Sequence, residues 1–141
     1  MYKPKVYKAK KPICVQSEKD LQKLVCNYLK IAYPTVLFNS DMAGAMKLTI
    51  GQAVQIANLR SNKGYPDLAI YETRGEYSGL FIELKKEGEN LQKRDGSPIT
   101  PHVQEQLNCI RLLRSKGYKA HFCVGWQEAK DAIDNYLNGN S

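Results

Sequence analysis

Apolar residues recur every three to four positions in several stretches of the chain, which is the spacing of an amphipathic helix. The clearest stretch contains Leu21, Val25 and Leu29, follows the suitable N-cap Ser17 and ends before Pro34. Short β-rich runs bounded by glycine, proline and polar residues predict strands. The predicted helices are 17–32, 52–60, 101–116 and 128–137, and the predicted strands are 36–38, 67–71, 79–85 and 119–124.

This order of elements, αβ(α)ββαβα, predicts an α/β fold with a mixed sheet. The strands 67–71 and 79–85 are short and joined by a polar segment around Gly75, so we expect them to form a β-hairpin. The 141 residues fit one domain with a single hydrophobic core. We therefore predict a single domain over 17–138, preceded by a basic N-terminal arm over 1–16.

Two acidic residues occupy matching places in the predicted hairpin. Asp67 and Glu83 lie eight residues before and eight residues after Gly75. A simple hairpin sets them opposite each other with Cβ atoms about 4.5–5.5 Å apart, and a bulge would shift the pairing by one residue. Lys85 shares the face of Glu83 because successive side chains of a strand alternate. The opposite face, predicted to pack on a helix, carries Leu80, Ile82 and Leu84.

Two carboxylates held this close repel each other unless a proton or a cation lies between them. A small number of oxygen ligands suits Mg²⁺ or Mn²⁺ better than zinc. Such a cation polarises a phosphodiester oxygen and lowers the pKa of a bound water, which Lys85 can orient or activate. Asp67, Glu83 and Lys85 together therefore predict metal-dependent phosphodiester hydrolysis.

A plainer interpretation of these residues stays open, because a Glu-x-Lys spacing is common. Glu128-Ala129-Lys130 has the same spacing within a helical pattern, where the two charges are expected to face solvent. Asp67 in a surface turn, with a solvent-facing Glu83–Lys85 pair on an edge strand, is the structural alternative. The stronger signal is the pairing of this motif with Gly-x-Pro-Asp on the neighbouring strand.

The segments Gly64-Tyr65-Pro66-Asp67-Leu68 and Phe81-Ile82-Glu83-Leu84-Lys85, followed by a glutamine in the next helix, resemble the PD-(D/E)XK nuclease superfamily. Within it, the match is to the VRR-NUC (virus-type replication-repair nuclease) domain, over roughly 15–137. The resemblance implies a restriction-endonuclease-like core with a mixed central sheet flanked by helices. It also implies a homodimer that cuts branched DNA such as four-way junctions, and the sequence leaves open whether a replication or repair protein delivers the substrate.

The resemblance also implies roles for individual residues. Asp67, Glu83 and the backbone carbonyl of Leu84 become the metal ligands, and Lys85 orients or activates the water. The acidic residue and the glutamine that the family carries on its first helix fall on Glu18 and Gln22, and Glu18 is a further candidate ligand. The later glutamine has two candidates, Gln104 and Gln106. We favour Gln106 because it heads the apolar series Cys109, Ile110 and Leu113.

The charge of the chain adds a nucleic-acid partner to this picture. The net charge is +7, and the arm over 1–16 carries five lysines and no acidic residue. Such an arm can hold a polyanion or can be a solvated terminus, and the sequence favours neither. Tyr65 is bulky for its motif and can stack on nucleic acid. The candidate phosphate contacts are Arg60, Lys63, Lys86, Lys93 and Arg94.

Several classes of protein are disfavoured. No apolar run is long enough to span a membrane, and the lysine-rich start lacks an apolar signal region, so we expect a cytoplasmic protein. The four cysteines lack metal-site spacing and are expected to be core residues. No Walker, G-x-G-x-x-G or G-x-S-x-G motif occurs. The remaining alternatives are a DNA-binding module that does not cut, a nuclease active only with its partner, and a small α/β protein without a nucleic-acid role.

Overall fold

The computed structural model describes residues 17–41 and 46–139, which form an α/β domain with four helices and four strands. Residues 1–16, the expected basic arm, lie outside this part of the chain. The order of the elements is the one that the hydrophobic pattern predicts. The elements are α1 (Glu18–Ala32), β1 (Phe38–Ser40), α2 (Ile50–Asn58), β2 (Leu68–Ile70), β3 (Leu80–Lys85), α3 (Pro101–Ser115), β4 (Lys119–Val124) and α4 (Gly125–Leu137).

The four strands form one mixed sheet in the order β1-β2-β3-β4. β1 pairs antiparallel with β2, and β2 pairs antiparallel with β3. β3 and β4 are parallel, because α3 forms the crossover that a parallel pair requires. The mixed sheet predicted from the sequence is therefore confirmed.

The β2–β3 hairpin has the register that the two acidic residues require. Leu68 pairs with Ile82, and Ile70 pairs with Leu80, so the same register continued by one residue sets Asp67 opposite Glu83. At the far end of the hairpin, the tight turn around Gly75 closes on a bridge between Arg74 and Tyr77, which is offset by one residue from the ladder. The offset is confined to the tip, and the pairing at the acidic end is unchanged.

The hydrophobic core lies between one face of the sheet and the helices α1 and α4. The apolar stripe of α1 is buried, and its N-terminus is capped by the Ser17 side chain, which accepts a hydrogen bond from the Asp20 backbone N–H. α3 packs on the other face, where Val103, Cys109 and Ile110 are buried. The core residues of the first layer include Leu21, Val25, Leu29, Leu68, Ile70, Leu80, Ile82, Leu84, Cys123 and Ile133.

Some element boundaries differ from the sequence prediction. α2 begins at Ile50 rather than at 52, because Thr49 and Gln52 form a reciprocal capping box. β1 begins at Phe38, the first residue that pairs with β2, so the apolar run over 36–38 is mostly outside the ladder. α4 begins three residues earlier than predicted, at Gly125.

The remaining general predictions concern the cysteines and the membrane. Cys109 and Cys123 are buried and Cys26 is half-buried, and all three carry free thiols. No helix in the described part of the chain is both long enough and apolar enough to cross a membrane.

Candidate active site

Asp67 lies immediately before β2 and is held from the strands on both sides. Its Oδ2 accepts a 2.9 Å hydrogen bond from the backbone N–H of Leu84 on β3. Its backbone carbonyl accepts hydrogen bonds from the Asp41 N–H at 2.7 Å and from Ser40 Oγ at 2.9 Å. The position of the Asp67 carboxylate is therefore fixed by both neighbours of β2.

The loop that carries Asp67 approaches α3 closely at Gly64. Gly64 has a φ of +77°, and a Cβ at this position would lie 2.7 Å from backbone atoms of Glu105 and Gln106. Neither the backbone conformation nor the space allows a side chain. Gly64 thus brings the Asp67 loop next to the turn of α3 that contains Gln106.

Glu83 is buried on β3, with 3% of its surface exposed. Its Oε1 accepts a 2.7 Å hydrogen bond from Nε2 of Gln106, which is also buried. Glu83 Oε2 and Gln106 Oε1 are buried and receive no hydrogen bond from an N–H or hydroxyl donor, so the Asp67 carboxyl group is the remaining partner of Glu83. Gln104, the other candidate, instead donates to Asn108 on the exposed side of α3. The structure therefore places Gln106, and not Gln104, beside the acidic pair.

The electrostatics of the pair follow from its burial. Burial raises the pKa of Glu83, and the nearby carboxylate of Asp67 raises it further. The pKa of Asp67 is also raised by burial, although hydrogen bonds with the Leu84 N–H and the Glu83 carboxyl group, and the charge of Lys85, act in the opposite direction. Two such groups cannot both ionise without compensation, so the Glu83–Asp67 pair must share a proton or bind a cation.

Lys85 and Glu18 lie next to the pair. Lys85 is 4% exposed, and its Nζ lies 3.9 Å from Oε1 of Glu18 on α1. Burial raises the pKa of Glu18 to about 7, helped by a hydrogen bond with Glu89, while Lys85 lowers it. Glu89 is a neighbour that sequence reasoning missed, because nothing in the charged segment after β3 indicates that the chain turns back toward α1.

A second set of polar residues, from α1 and β1, holds the backbone of Asp67. Gln22 on α1 is buried, and its Nε2 donates to Ser40 Oγ at 2.6 Å and to the Asp41 carbonyl at 2.8 Å. Ser40 in turn donates to the Asp67 carbonyl. The resemblance indicated Gln22, whereas Ser40 and Asp41 have no sequence signal, since their role depends on how β1 pairs with β2.

The predicted phosphate contacts lie outside the buried cluster. Arg60 forms an ion pair with Asp41 and lies over the Tyr65 ring, 5.7 Å from its centroid. Tyr65 is further held by a 2.6 Å hydrogen bond between its hydroxyl and Ser61 Oγ. The other four basic residues are exposed on the segments that precede β2 and follow β3, namely Lys63, Lys86, Lys93 and Arg94.

The contacts of the second Glu-x-Lys motif, Glu128-Ala129-Lys130, indicate a structural role. Glu128 Oε2 accepts a 2.6 Å hydrogen bond from the Val124 N–H at the start of α4. Lys130 forms an ion pair of 2.7 Å with Asp134 on the same helix. Asp134 also accepts hydrogen bonds from Tyr28 and Tyr33, so these residues join α4 to α1.

The donor atoms present fit a divalent cation held by few side chains. Within 17–41 and 46–139, no three His, Cys, Asp or Glu side chains are arranged to hold a metal ion. A cation here must therefore combine the carboxylates of Asp67 and Glu83 with backbone or water oxygens. Continuing the hairpin register sets Pro66 opposite Leu84. Because Pro66 has no N–H, it cannot donate to the Leu84 carbonyl, which leaves that oxygen for a ligand.

Comparisons with known proteins identify the fold. No family model and no curated protein matches the chain. Among solved structures, it is similar to a VRR_NUC domain protein with 26% sequence identity and a TM-score of 0.62, over 88% of this chain and 90% of that one. A second structure, described as a VRR_NUC domain, has 22% identity and a TM-score of 0.44, over 86% of this chain and 99% of that one.

The mixed four-stranded sheet, with Asp67 and Glu83 at one end of its central hairpin, has the PD-(D/E)XK-like fold. Within that fold class, the chain is similar to a VRR_NUC domain protein over nearly its whole length. The resemblance inferred from the sequence motifs is thereby confirmed, and the similarity indicates a nuclease-type domain.

Proposed function

We propose that this protein is a divalent-cation-dependent endonuclease that hydrolyses phosphodiester bonds in DNA. The observation that carries the proposal is the close pair of carboxyl groups of Glu83 and Asp67, in which the buried Glu83 Oε2 has no partner apart from the Asp67 carboxyl group. A purely structural carboxylate at this depth would have its oxygens satisfied by donors. A cation satisfies both carboxylates at once.

The proposed ligands are the carboxylates of Asp67 and Glu83 and the backbone carbonyl of Leu84. Hard oxygen ligands in small number, with room for water, favour Mg²⁺ or Mn²⁺. Once bound, such a cation polarises the phosphodiester and lowers the pKa of a water molecule. Glu18, a further candidate ligand, faces the Lys85 ammonium, which favours a role in holding that lysine.

Lys85 is the residue proposed to act on the attacking water. Its ammonium is buried and can donate to water or to a non-bridging phosphate oxygen, which offsets the negative charge of the transition state. Glu18 holds Lys85 from α1, and Gln106 holds Glu83 from α3. Glu18 and Gln106 are thus positioning residues, since they act through Lys85 and Glu83.

DNA with a branch, such as a four-way junction, is the proposed substrate, and a homodimer is the proposed active form. The resemblance to VRR-NUC domains supports both. The structure adds that α2 has no buried residue and exposes Ile50 and Val54, so this helix has an apolar face available for a second copy. We expect light scattering to give about twice the 16.0 kDa chain mass. A strictly monomeric protein would contradict symmetric cutting of a junction.

The test is a cleavage assay with labelled single-stranded, duplex, flap and four-way-junction DNA in Mg²⁺, Mn²⁺ or EDTA. The wild type should cut only with a cation, and Glu83→Ala should reduce cutting at least about 100-fold, because it removes a metal ligand. Glu128→Ala, in the second Glu-x-Lys motif, is the matched control and should cut normally. Tight DNA binding without cutting under every condition would indicate that the protein is a DNA-binding module, or that it requires a replication or repair partner to cut.

A further inference from the structure

A groove of about 670 Å³ begins at Asp67 and extends across the sheet face opposite to α1 and α4. α3 covers this face where it packs on β4, and the groove lies over β1 and β2. Asp67 lines both this groove and the acidic site. Whatever occupies the groove therefore lies directly beside the bond that the proposed nuclease cuts.

The floor of the groove is shaped by a small residue between two larger ones. In the strand register, Ala69 on β2 lies between Asn39 on β1 and Phe81 on β3. The Phe81 ring is fixed by an edge-on contact with Tyr118, with 5.2 Å between ring centroids. The missing bulk at Ala69 leaves a depression with an aromatic ring on one side and the polar Asn39 side chain on the other.

Two tyrosines supply further ring surface. Tyr65 is held in place by Ser61 and Arg60, as described above. Tyr71, directly after β2, is 53% exposed although it is a large aromatic residue. Exposed rings beside an apolar floor are the surfaces on which nucleobases stack in proteins that bind single strands.

The charge of the groove favours a base over a phosphate. Arg60, the basic side chain on its wall, is paired with Asp41, which lines the same wall, so the two charges cancel. A phosphate entering this part of the groove would find no net positive charge. A flat, uncharged ring with polar edges fits the rings of Tyr65, Tyr71 and Phe81 and can bond to Asn39.

We infer that this groove binds one unpaired nucleobase next to the phosphodiester that is cut, so that the enzyme selects DNA with an unpaired nucleotide at the cleavage point. This inference rests on the proposed nuclease function and narrows its substrate. In a duplex, the base must first leave its stack to enter such a groove, which disfavours fully paired DNA. Single strands, flaps and the unpaired nucleotides of a branch present the base without that step.

The experiment measures binding in EDTA, so that cutting cannot interfere, using a fluorescein-labelled 12-nucleotide strand and the matching blunt duplex. We expect the wild type to prefer the single strand. Tyr71→Ala should weaken single-strand binding about five- to tenfold, as expected for the loss of one stacked base, and leave duplex binding unchanged. Tyr71→Phe keeps the ring and should bind within about twofold of the wild type, as should Leu112→Ala, an exposed apolar residue on α3.

A second variant tests the shape of the groove. Ala69→Leu fills the depression and should reproduce the loss of single-strand preference, with circular dichroism confirming that the variant is folded. Equal effects on strand and duplex, or no effect of either Tyr71→Ala or Ala69→Leu, would overturn the inference. Cation-dependent cutting with no role for Tyr71 would leave the nuclease intact and remove the base-binding groove. If Tyr71→Ala loses the preference for single strands but the wild type cuts no DNA, the base-binding groove is supported and the proposed nuclease function is not.

Discussion

At the scale of single residues, the site depends on buried polar groups that lack enough partners. Glu83 receives one hydrogen bond from Gln106, and its second oxygen has only the Asp67 carboxyl group as a partner. Asp67 receives one from the Leu84 N–H. Burial of such groups is unfavourable unless a proton or a cation compensates, and their presence at one end of the sheet supports a catalytic role.

Gln106 is predicted to matter through Glu83. Gln106→Ala should reduce cleavage about 10- to 100-fold, because partners that orient a metal ligand typically contribute that much. The Mg²⁺ concentration that gives half the maximal rate should also rise, which a merely structural defect would not produce. Gln104→Ala, two residues earlier on the exposed side of α3, is the control. Equal losses in both variants would show that the Glu83–Gln106 hydrogen bond has no special role.

The residues at the centre of the candidate site could be predicted from the sequence, as could the supporting residues Glu18, Gln22 and Gln106, but other supporting residues could not. Asp67, Glu83 and Lys85 are recognisable because hairpin symmetry and strand alternation fix their relative places. Glu89 and Ser40 contribute only because a loop returns to α1 and because β1 pairs with β2. Such contacts depend on tertiary structure, which local patterns do not contain.

At the scale of elements, the close approach of the Asp67 loop to α3 is predicted to depend on Gly64. Gly64→Ala should lower the free energy of unfolding by about 2 kcal/mol or more, through strain at positive φ and a clash with the α3 backbone. Cleavage should fall with it. Gly51→Ala is the control, because a Cβ there meets nothing within 4 Å and α2 should gain up to about 1 kcal/mol.

Chemical denaturation of both variants gives these free energies. A Gly64→Ala protein as stable and as active as the Gly51→Ala protein would mean that the loop tolerates a different path.

The sequence predicts the positions of some elements better than those of others. α1, β3, α3 and β4 are bounded by caps, glycines and strict periodicity, whereas β1 and α2 are shifted because a ladder and a capping box decide where they begin.

At the scale of the whole molecule, the raised pKa values of the site predict how stability depends on pH. In the metal-free protein, Glu83, Asp67 and Glu18 keep their protons to higher pH than in the unfolded chain. Protonation of these groups contributes fully to stability at pH values below the carboxyl pKa of the unfolded chain. This contribution is lost as the pH rises through the pKa values of the folded protein, which for Glu18 is about 7. The melting temperature in EDTA should therefore fall between pH 5 and pH 8, by about 5 °C or more.

Two comparisons check the origin of this pH dependence. Glu83→Gln removes one titrating group and should flatten the curve. Millimolar Mg²⁺ should raise the melting temperature more at pH 8 than at pH 5, because a cation competes with protons for the same oxygens. A melting temperature that rises from pH 5 to pH 8 in EDTA would contradict the assignment of raised pKa values to these carboxyl groups.

Asp67 and Glu83 are proposed to bind one divalent cation together, and calorimetric titration with Mn²⁺ measures that binding without any need for cleavage. We predict one saturable site per chain in the wild type at pH 7.5, with protons released on binding. Asp67→Asn and Glu83→Gln should each abolish it, while Glu128→Gln, in the helical Glu-x-Lys motif, should bind as the wild type does. Absence of Mn²⁺ binding by the folded wild type, or equal binding by Glu83→Gln, would show that these two carboxylates do not form a cation site.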